Sequence, residues 1–417
     1  MNINDPKLIE VTRQLVLEGF EPRFGARADE FPSHPLWRRM KELGSELWLD
    51  TGDIDAIETL WTREFSALTT NNTLLNREVQ KGTYDELVPG AAAALRQACP
   101  ELDDATLIRE IAFVLNAYHA LRLVERFDAF VSVEEHTDLA HDAEAAVAYA
   151  RRYHAICPER FIVKLPMTAA GLLAARQLGR DGVPINLTLG FSARQNVLTS
   201  VFARPTYCNV FLGRLNSVVP TNGLGGGEYV GERTTAASQQ RIAAIPEPAT
   251  KQIAASIRSG AQVRDLAGVD VLTIPPAAAS GFLELGIDPA ELQDGVGNDY
   301  EPKWADGVSP EAYGLDTLWH VPYGIEDAVG EVASQADIDG PALLGRIADA
   351  GLGGALPKWS EADVSRATAD GKIPKLDAWM DRLTTGKVGL DALMNLHGLQ
   401  SFATDQKAMD DRIRGLI

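Results

Sequence analysis

The feature that most constrains this chain is an alternation that repeats. Short β-favouring runs occur at 46–50, 67–71, 129–134, 161–165, 184–189, 207–213, 252–257 and 269–274, with helical patterns between most of them. In the stretch 142–156, for example, Ala146, Tyr149, Ala150 and Tyr153 recur at helical spacing. Thr168 suits the N-cap of a helix over 169–178, with Gly179 as its stop. Eight strands alternating with helices over roughly 230 residues suit an α/β fold of the (β/α)8 TIM-barrel kind, whose usual size is about 250 residues. A doubly wound open sheet is the alternative, but no Gly-x-Gly-x-x-Gly turn follows the first run.

The pattern divides the chain. Residues 1–45 read as an N-terminal helical lead, with helices near 6–17 and 36–43. The barrel occupies 46–280. From 281 to 375 Gly, Pro, Asp and Glu are frequent, a helix is expected over 341–350, and the stretch reads as an insertion or small subdomain. Residues 376–417 return to helix, and Phe402, Met409, Ile413 and Leu416 share one stripe suited to packing on the barrel. The segment Gly223-Leu224-Gly225-Gly226-Gly227 lacks the Lys-Ser/Thr of a P-loop and reads as a flexible loop.

Charge narrows the function. The 417 residues include 39 basic and 58 acidic side chains, a formal net charge of −19, which argues against nucleic acid or an anionic membrane as partner. Any anion site must therefore be a local group of arginines acting against the global field. Cys99, Cys157 and Cys208 have no metal-like spacing and suggest reduced thiols in a cytoplasmic protein. His136 and His141 fit no ligand motif, and no metal is expected. The start, Met1-Asn2-Ile3-Asn4-Asp5, shows no signal peptide, and no apolar run reaches membrane-spanning length. Self-association into a homo-oligomer is compatible with the pattern.

Strand parity points to a site. Side chains two apart share a face, and barrel strands carry functional groups inward near their C-terminal ends. The pairs are Trp48/Asp50, Thr69/Asn71, Ser132/Glu134, Ile162/Lys164, Asn186/Thr188, Asn209/Phe211 and Ser256/Arg258. Strand ends are often polar, so one such pair means little, but seven on one rim make a site the economical reading.

Lys164, in the otherwise apolar run Phe161-Ile162-Val163-Lys164-Leu165-Pro166, is costly to charge in a buried strand. A neutral amine there can attack a ketone and form an imine. Glu134 with Thr188 can hold the water that shuttles protons, and Asp50 is placed as a second acid/base for breaking a carbon–carbon bond. Arg214, Ser256 and Arg258, just beyond the sixth and seventh runs, form a natural phosphate clamp.

These residues resemble a known family. The segments Trp48-Leu49-Asp50-Thr51-Gly52-Asp53-Ile54, Thr69-Thr70-Asn71, Val131-Ser132-Val133-Glu134, Ile162-Val163-Lys164, Asn186-Leu187-Thr188-Leu189-Gly190-Phe191-Ser192, Phe211-Leu212-Gly213-Arg214 and Ala255-Ser256-Ile257-Arg258, with the tail Phe402-Ala403-Thr404-Asp405-Gln406-Lys407, are similar to those of transaldolases, Schiff-base enzymes of the class I aldolase superfamily. The resemblance implies a Schiff base between Lys164 and dihydroxyacetone, with Asp50 as acid/base and Glu134 and Thr188 handling the catalytic water. It implies that Thr69, Asn71 and Asn186 bind substrate hydroxyls, and that Arg214, Ser256 and Arg258 hold the sugar phosphate. The partners would be small sugar phosphates of the pentose phosphate pathway, with no cofactor. Phe211 stands where the related fructose-6-phosphate aldolases have tyrosine, and Glu134 where they usually have glutamine. Asn209 departs from the family's usual serine in contact with the donor. A relative with a different donor or acceptor, and a catalytically silent barrel scaffold, are the competing readings. The intact set of Asp50, Glu134 and Lys164 argues against the scaffold.

Overall fold

The computed structural model describes residues 3–20, 24–25, 30–246 and 249–417; Met1-Asn2 and residues 21–23 and 26–29 of the expected lead lie outside the described residues. Eight parallel strands close into a barrel in sequence order. They are β1 (Glu46–Asp50), β2 (Phe65–Thr69), β3 (Phe130–Glu134), β4 (Phe161–Pro166), β5 (Ile185–Thr188), β6 (Tyr207–Phe211), β7 (Lys251–Ala255) and β8 (Val271–Ile274). Closure is made between β1 and β8, with Glu46 opposite Val271. This is the (β/α)8 barrel that the alternation predicts, with helices at both termini.

Local chemistry explains where strands give way to helices. Asn71, Thr168, Ser192 and Ser259 follow β2, β4, β5 and β7, and each side-chain oxygen accepts the backbone N–H three residues on. That bond satisfies a donor which the first helical turn leaves orphaned. Three expected boundaries move for identifiable reasons. β2 ends at Thr69 because Asn71 is already a cap. β6 ends at Phe211 because the helix Leu212–Thr221 starts at the next residue. β7 ends at Ala255 because Ser256 takes a left-handed φ of 63°. The helix after β4 runs through Gly179 to Arg180, and the left-handed glycine beyond it is Gly182.

The strands are buried on both faces, as parallel barrel strands must be. In the lead, the helix Pro35–Glu42 sets Trp37 against Phe65 and Phe282, with ring centroids 5.1 and 4.9 Å apart. Beyond the helix Pro276–Glu284, the helices Ile325–Ala333 and Gly340–Ile347 pack on the barrel helices Ala193–Phe202 and Ala169–Arg180. Leu315, Leu318, Val329, Leu343 and Ile347 share one hydrophobic cluster with the strands. The glycine segment 223–227 is tied into this layer rather than free. Gly225 bridges to Trp304, and a Cβ there would stand 2.5 Å from the Lys303 carbonyl oxygen. No helix among the described residues is long and apolar enough to cross a membrane.

The terminal helix Leu390–Arg414 lies against the helix Asn72–Gln80 and reaches the C-terminal mouth of the barrel. Met409 and Ile413 fill a second apolar cluster with Leu8 and Leu75, and Leu416 falls just past the helix end. Phe402 has a different position, described below.

Candidate active site

Lys164 anchors the site because of register. Glu134 of β3, Lys164 of β4 and Asn186 of β5 lie side by side at one level of the barrel. The Lys164 Nζ donates to the Thr70 carbonyl at 3.3 Å and stands 3.8 Å from Glu134 Oε1. Glu134 Oε2 accepts the Asn72 backbone N–H at 3.1 Å, at the start of a helix, where an anion is favoured. Burial nevertheless pushes the Glu134 carboxyl above its ordinary value, against the pull of Lys164 and that N–H.

Above this level is a cavity of about 540 Å³. Asp50, Thr69, Asn71, Lys164, Asn186, Asn209, Phe211, Arg214, Ser256 and Arg258 all line it. Glu134 and Thr188 do not; both are buried, and Glu134 meets Lys164 from the side. A larger cleft of about 1150 Å³ lies outside the barrel, between helices near 143 and 169 and the segment 340–387. The convergent polar and titratable groups mark the smaller cavity, so volume does not decide.

Asp50 ends β1, half-buried on the cavity wall. Burial raises its pKa, while Lys164, Arg258 and Arg77 pull it down. Thr69 and Thr273 share a 2.7 Å hydroxyl hydrogen bond across the cavity floor. Asn71 spends its amide oxygen on the Leu74 cap, which leaves the amide nitrogen as its donor for a ligand.

A polar network continues around the wall. Asn186 donates to Ser132 Oγ at 3.1 Å. Asn209 donates to Thr188 Oγ1 at 3.0 Å and to Asn186 Oδ1 at 3.4 Å, while its own oxygen accepts the Gly190 N–H at 3.2 Å. Both ends of the Asn209 amide are thus engaged, and Thr188 keeps its hydroxyl proton to donate.

The cationic end is built by close backbone approach. Arg214 sits in the first turn of the helix that follows β6, only 8% exposed, its guanidinium 5.5 Å from the Phe211 ring and 5.7 Å from the Phe402 ring. Burial and the neighbouring Arg258 lower its pKa to about 10. Its Nη1 is buried without a hydrogen-bond partner among the described residues, an arrangement suited to an anion. Strand parity named Ser256 with Arg258 as an inward pair, but Ser256 lies beyond the strand and on the opposite parity. The inward residues of β7 are Ile253 and Ala255, and the left-handed turn at Ser256 swings that residue back to the cavity, where its Oγ accepts Arg258 Nη2 at 3.0 Å. Gly213 permits this, since a Cβ there would stand 2.1 Å from the Ser256 carbonyl oxygen.

Sequence reasoning missed several lining groups. Thr273, on a strand for which no inward pair was named, and Ile253, which the pairing of Ser256 with Arg258 put on the other face, both line the cavity. Phe402 was read as part of a packing stripe, yet its ring lies 5.9 Å from Lys164 Nζ. Arg77, Lys81 and Lys372 also line the mouth. Among the described residues, no group of three or more His, Cys, Asp or Glu is arranged to hold a metal ion.

The geometry defines a parallel-barrel protein with a lysine–carboxylate pair below a cation-lined cavity. The family model for "Transaldolase/Fructose-6-phosphate aldolase" matches residues 47–301. A transaldolase of Xanthomonas euvesicatoria is 32% identical over 280 residues, covering 61% of this chain and 82% of the relative. A transaldolase of Methylococcus capsulatus is 29% identical over 262 residues, covering 59% and 78%, and one of Synechocystis is 29% identical over 267 residues, covering 59% and 66%. The chain belongs to the transaldolase/fructose-6-phosphate aldolase family and is an enzyme of it.

Proposed function

We propose that the protein is a transaldolase that moves a dihydroxyacetone unit from a ketose phosphate to an aldose phosphate through a Schiff base on Lys164. The donors would be sedoheptulose 7-phosphate or fructose 6-phosphate, and the acceptors glyceraldehyde 3-phosphate or erythrose 4-phosphate, as in the pentose phosphate pathway. The observation that carries this is the buried Lys164 amine beside Glu134, opening into a cavity with Asp50 on its wall and Arg214 at its end.

In this reading the neutral amine attacks the C2 carbonyl. Proton transfers through a water held by Glu134 and Thr188 expel hydroxide as water and leave a protonated imine. Asp50 takes the C4 hydroxyl proton. The C3–C4 bond breaks, its electron pair moves into the imine as an enamine, and the aldose phosphate departs. The acceptor aldehyde then enters, the enamine carbon attacks it, and Asp50 returns the proton to the new hydroxyl. Water releases the product and regenerates Lys164. Thr69, Asn71 and Asn186 orient the hydroxyls, while Arg214, Ser256 and Arg258 hold the phosphate. Asn209, whose amide is committed to protein, orients Thr188.

Phe211 favours transfer over release of free dihydroxyacetone, because a phenyl ring cannot protonate the enamine. The test is to supply fructose 6-phosphate with and without erythrose 4-phosphate. Sedoheptulose 7-phosphate formed only with acceptor, and little free dihydroxyacetone without it, supports transaldolase. Rapid release of dihydroxyacetone without acceptor would make the enzyme an aldolase instead.

A further inference from the structure

Lys372 lines the barrel-mouth cavity, although it belongs to the segment beyond the barrel's last helix. It follows the helix Glu361–Asp370 in a short loop that is fixed on both sides. Before it, the Gly371 carbonyl oxygen lies 2.8 Å from His397 Nδ1, and Gly371 holds a left-handed φ of 85°. After it, Ile373 packs on the core, and the Pro374 carbonyl accepts Asn222 Nδ2 at 3.1 Å.

The clamp also says which end of the cavity the loop faces. His397 is next to Gly398, and a Cβ on Gly398 would stand 3.2 Å from Arg214 Nη1. One turn of the terminal helix therefore touches Arg214 on one side and holds the Lys372 loop on the other. Lys372 is exposed and has no ion pair or hydrogen bond among the described residues, whereas the nearby Lys375 pairs with Asp370 at 3.8 Å. Lys81, another cation at the mouth, is already held by Asp53 and Glu78.

We propose that Lys372 is a specificity-determining residue, a third cation that captures the phosphate of the substrate alongside Arg214 and Arg258. This rests on the sugar-phosphate reading above. The physical need is clear: a phosphate dianion approaching a chain of net charge −19 is repelled at long range, and an exposed lysine at the mouth opposes that field locally. An extended ammonium contributes to capture, while the buried guanidinium of Arg214 contributes to orientation.

The test compares the full chain with Lys372→Ala and Lys372→Arg. For fructose 6-phosphate, Lys372→Ala should raise KM about tenfold, with a much smaller change in kcat, and the defect should shrink at high salt. Lys372→Arg should recover most of it. With unphosphorylated fructose the same variants should differ little from the parent. Calorimetric titration with inorganic phosphate reads the same residue without turnover, and Lys372→Ala should weaken binding. If the parent turns over fructose 6-phosphate but Lys372→Ala matches it in KM and in phosphate binding, the assignment of Lys372 is wrong and the aldolase reading stands. If KM rises equally for phosphorylated and unphosphorylated sugars, Lys372 supports the mouth without reading phosphate. If the parent neither turns over the sugar nor binds phosphate, the sugar-phosphate reading falls first, and the role of Lys372 with it.

Discussion

The Lys164 amine lies 3.8 Å from the Glu134 carboxylate, with the two side chains only 3% and 5% exposed. Their strands place them directly opposite each other. Such a pair is poor as a stabilising device, because burying two charges costs about as much as their attraction returns. It is useful as a proton-exchanging device, because burial holds the Glu134 carboxyl above its ordinary value and so toward its neutral form. An amine must lose a proton to attack a carbonyl, and a carboxyl held above its ordinary pKa can receive and return one.

Replacing Asp50 should separate imine formation from bond cleavage. Asp50→Asn should lower kcat for transfer by about 10²–10⁴-fold while leaving Lys164 able to form an imine with free dihydroxyacetone. In the parent, Asp50 must be ionised to accept the hydroxyl proton, and burial raises its pKa. The acid limb of kcat/KM should accordingly lie above the ordinary aspartate value of 3.8. A limb at or below that value would remove Asp50 from this role.

Arg214 should matter more to binding than to folding. Its guanidinium is buried over two rings with Nη1 unpartnered, so Arg214→Met removes a costly charge while keeping much of the packing. KM for fructose 6-phosphate should rise about 10–100-fold, with Tm unchanged or slightly higher. A large fall in Tm with unchanged KM would make Arg214 structural.

Gly213→Ala tests how the two cationic residues are brought together. The added methyl meets the Ser256 carbonyl oxygen and Arg258 Cγ, at 2.1 and 2.7 Å from an ideal Cβ. Overpacking of this kind costs about 1–3 kcal/mol. Denaturant unfolding should show that loss, together with weaker phosphate binding.

Glu135 gives a pH-dependent stability. It follows Glu134 but lies outside the barrel wall, and neither carboxyl oxygen has a hydrogen-bond partner among the described residues. Burial holds its pKa well above 4.5. Below pH 4.5 folded and unfolded chains both keep the proton. Between 4.5 and the folded value only the folded chain keeps it, so stability falls with rising pH by about 1.4 kcal/mol per unit. Glu135→Gln should remove that slope and raise Tm relative to the parent at neutral pH. Parallel Tm–pH curves for parent and variant would show that Glu135 does not titrate in this way.

The barrel was legible because its strands repeat a simple pattern, and Asp50, Glu134 and Lys164 were legible because strand parity is rigid. Ser256 reaches the cavity by a positive-φ turn, which alternation cannot encode. Phe402 and Lys372 reach it through tertiary docking of late segments, and Lys372 in particular looks like any surface lysine in the sequence. The caps were partly visible, as at Thr168, whereas Gly179 was misread because a glycine can sit within a helix near its end.

The most direct test of the account is to trap the covalent intermediate. The protein is incubated with fructose 6-phosphate and borohydride, and the modified peptide is mapped by mass spectrometry. A reduced dihydroxyacetone adduct is expected on Lys164 and absent from Lys164→Ala, whose turnover is abolished. An adduct on another lysine, or undiminished transfer by Lys164→Ala, would contradict it.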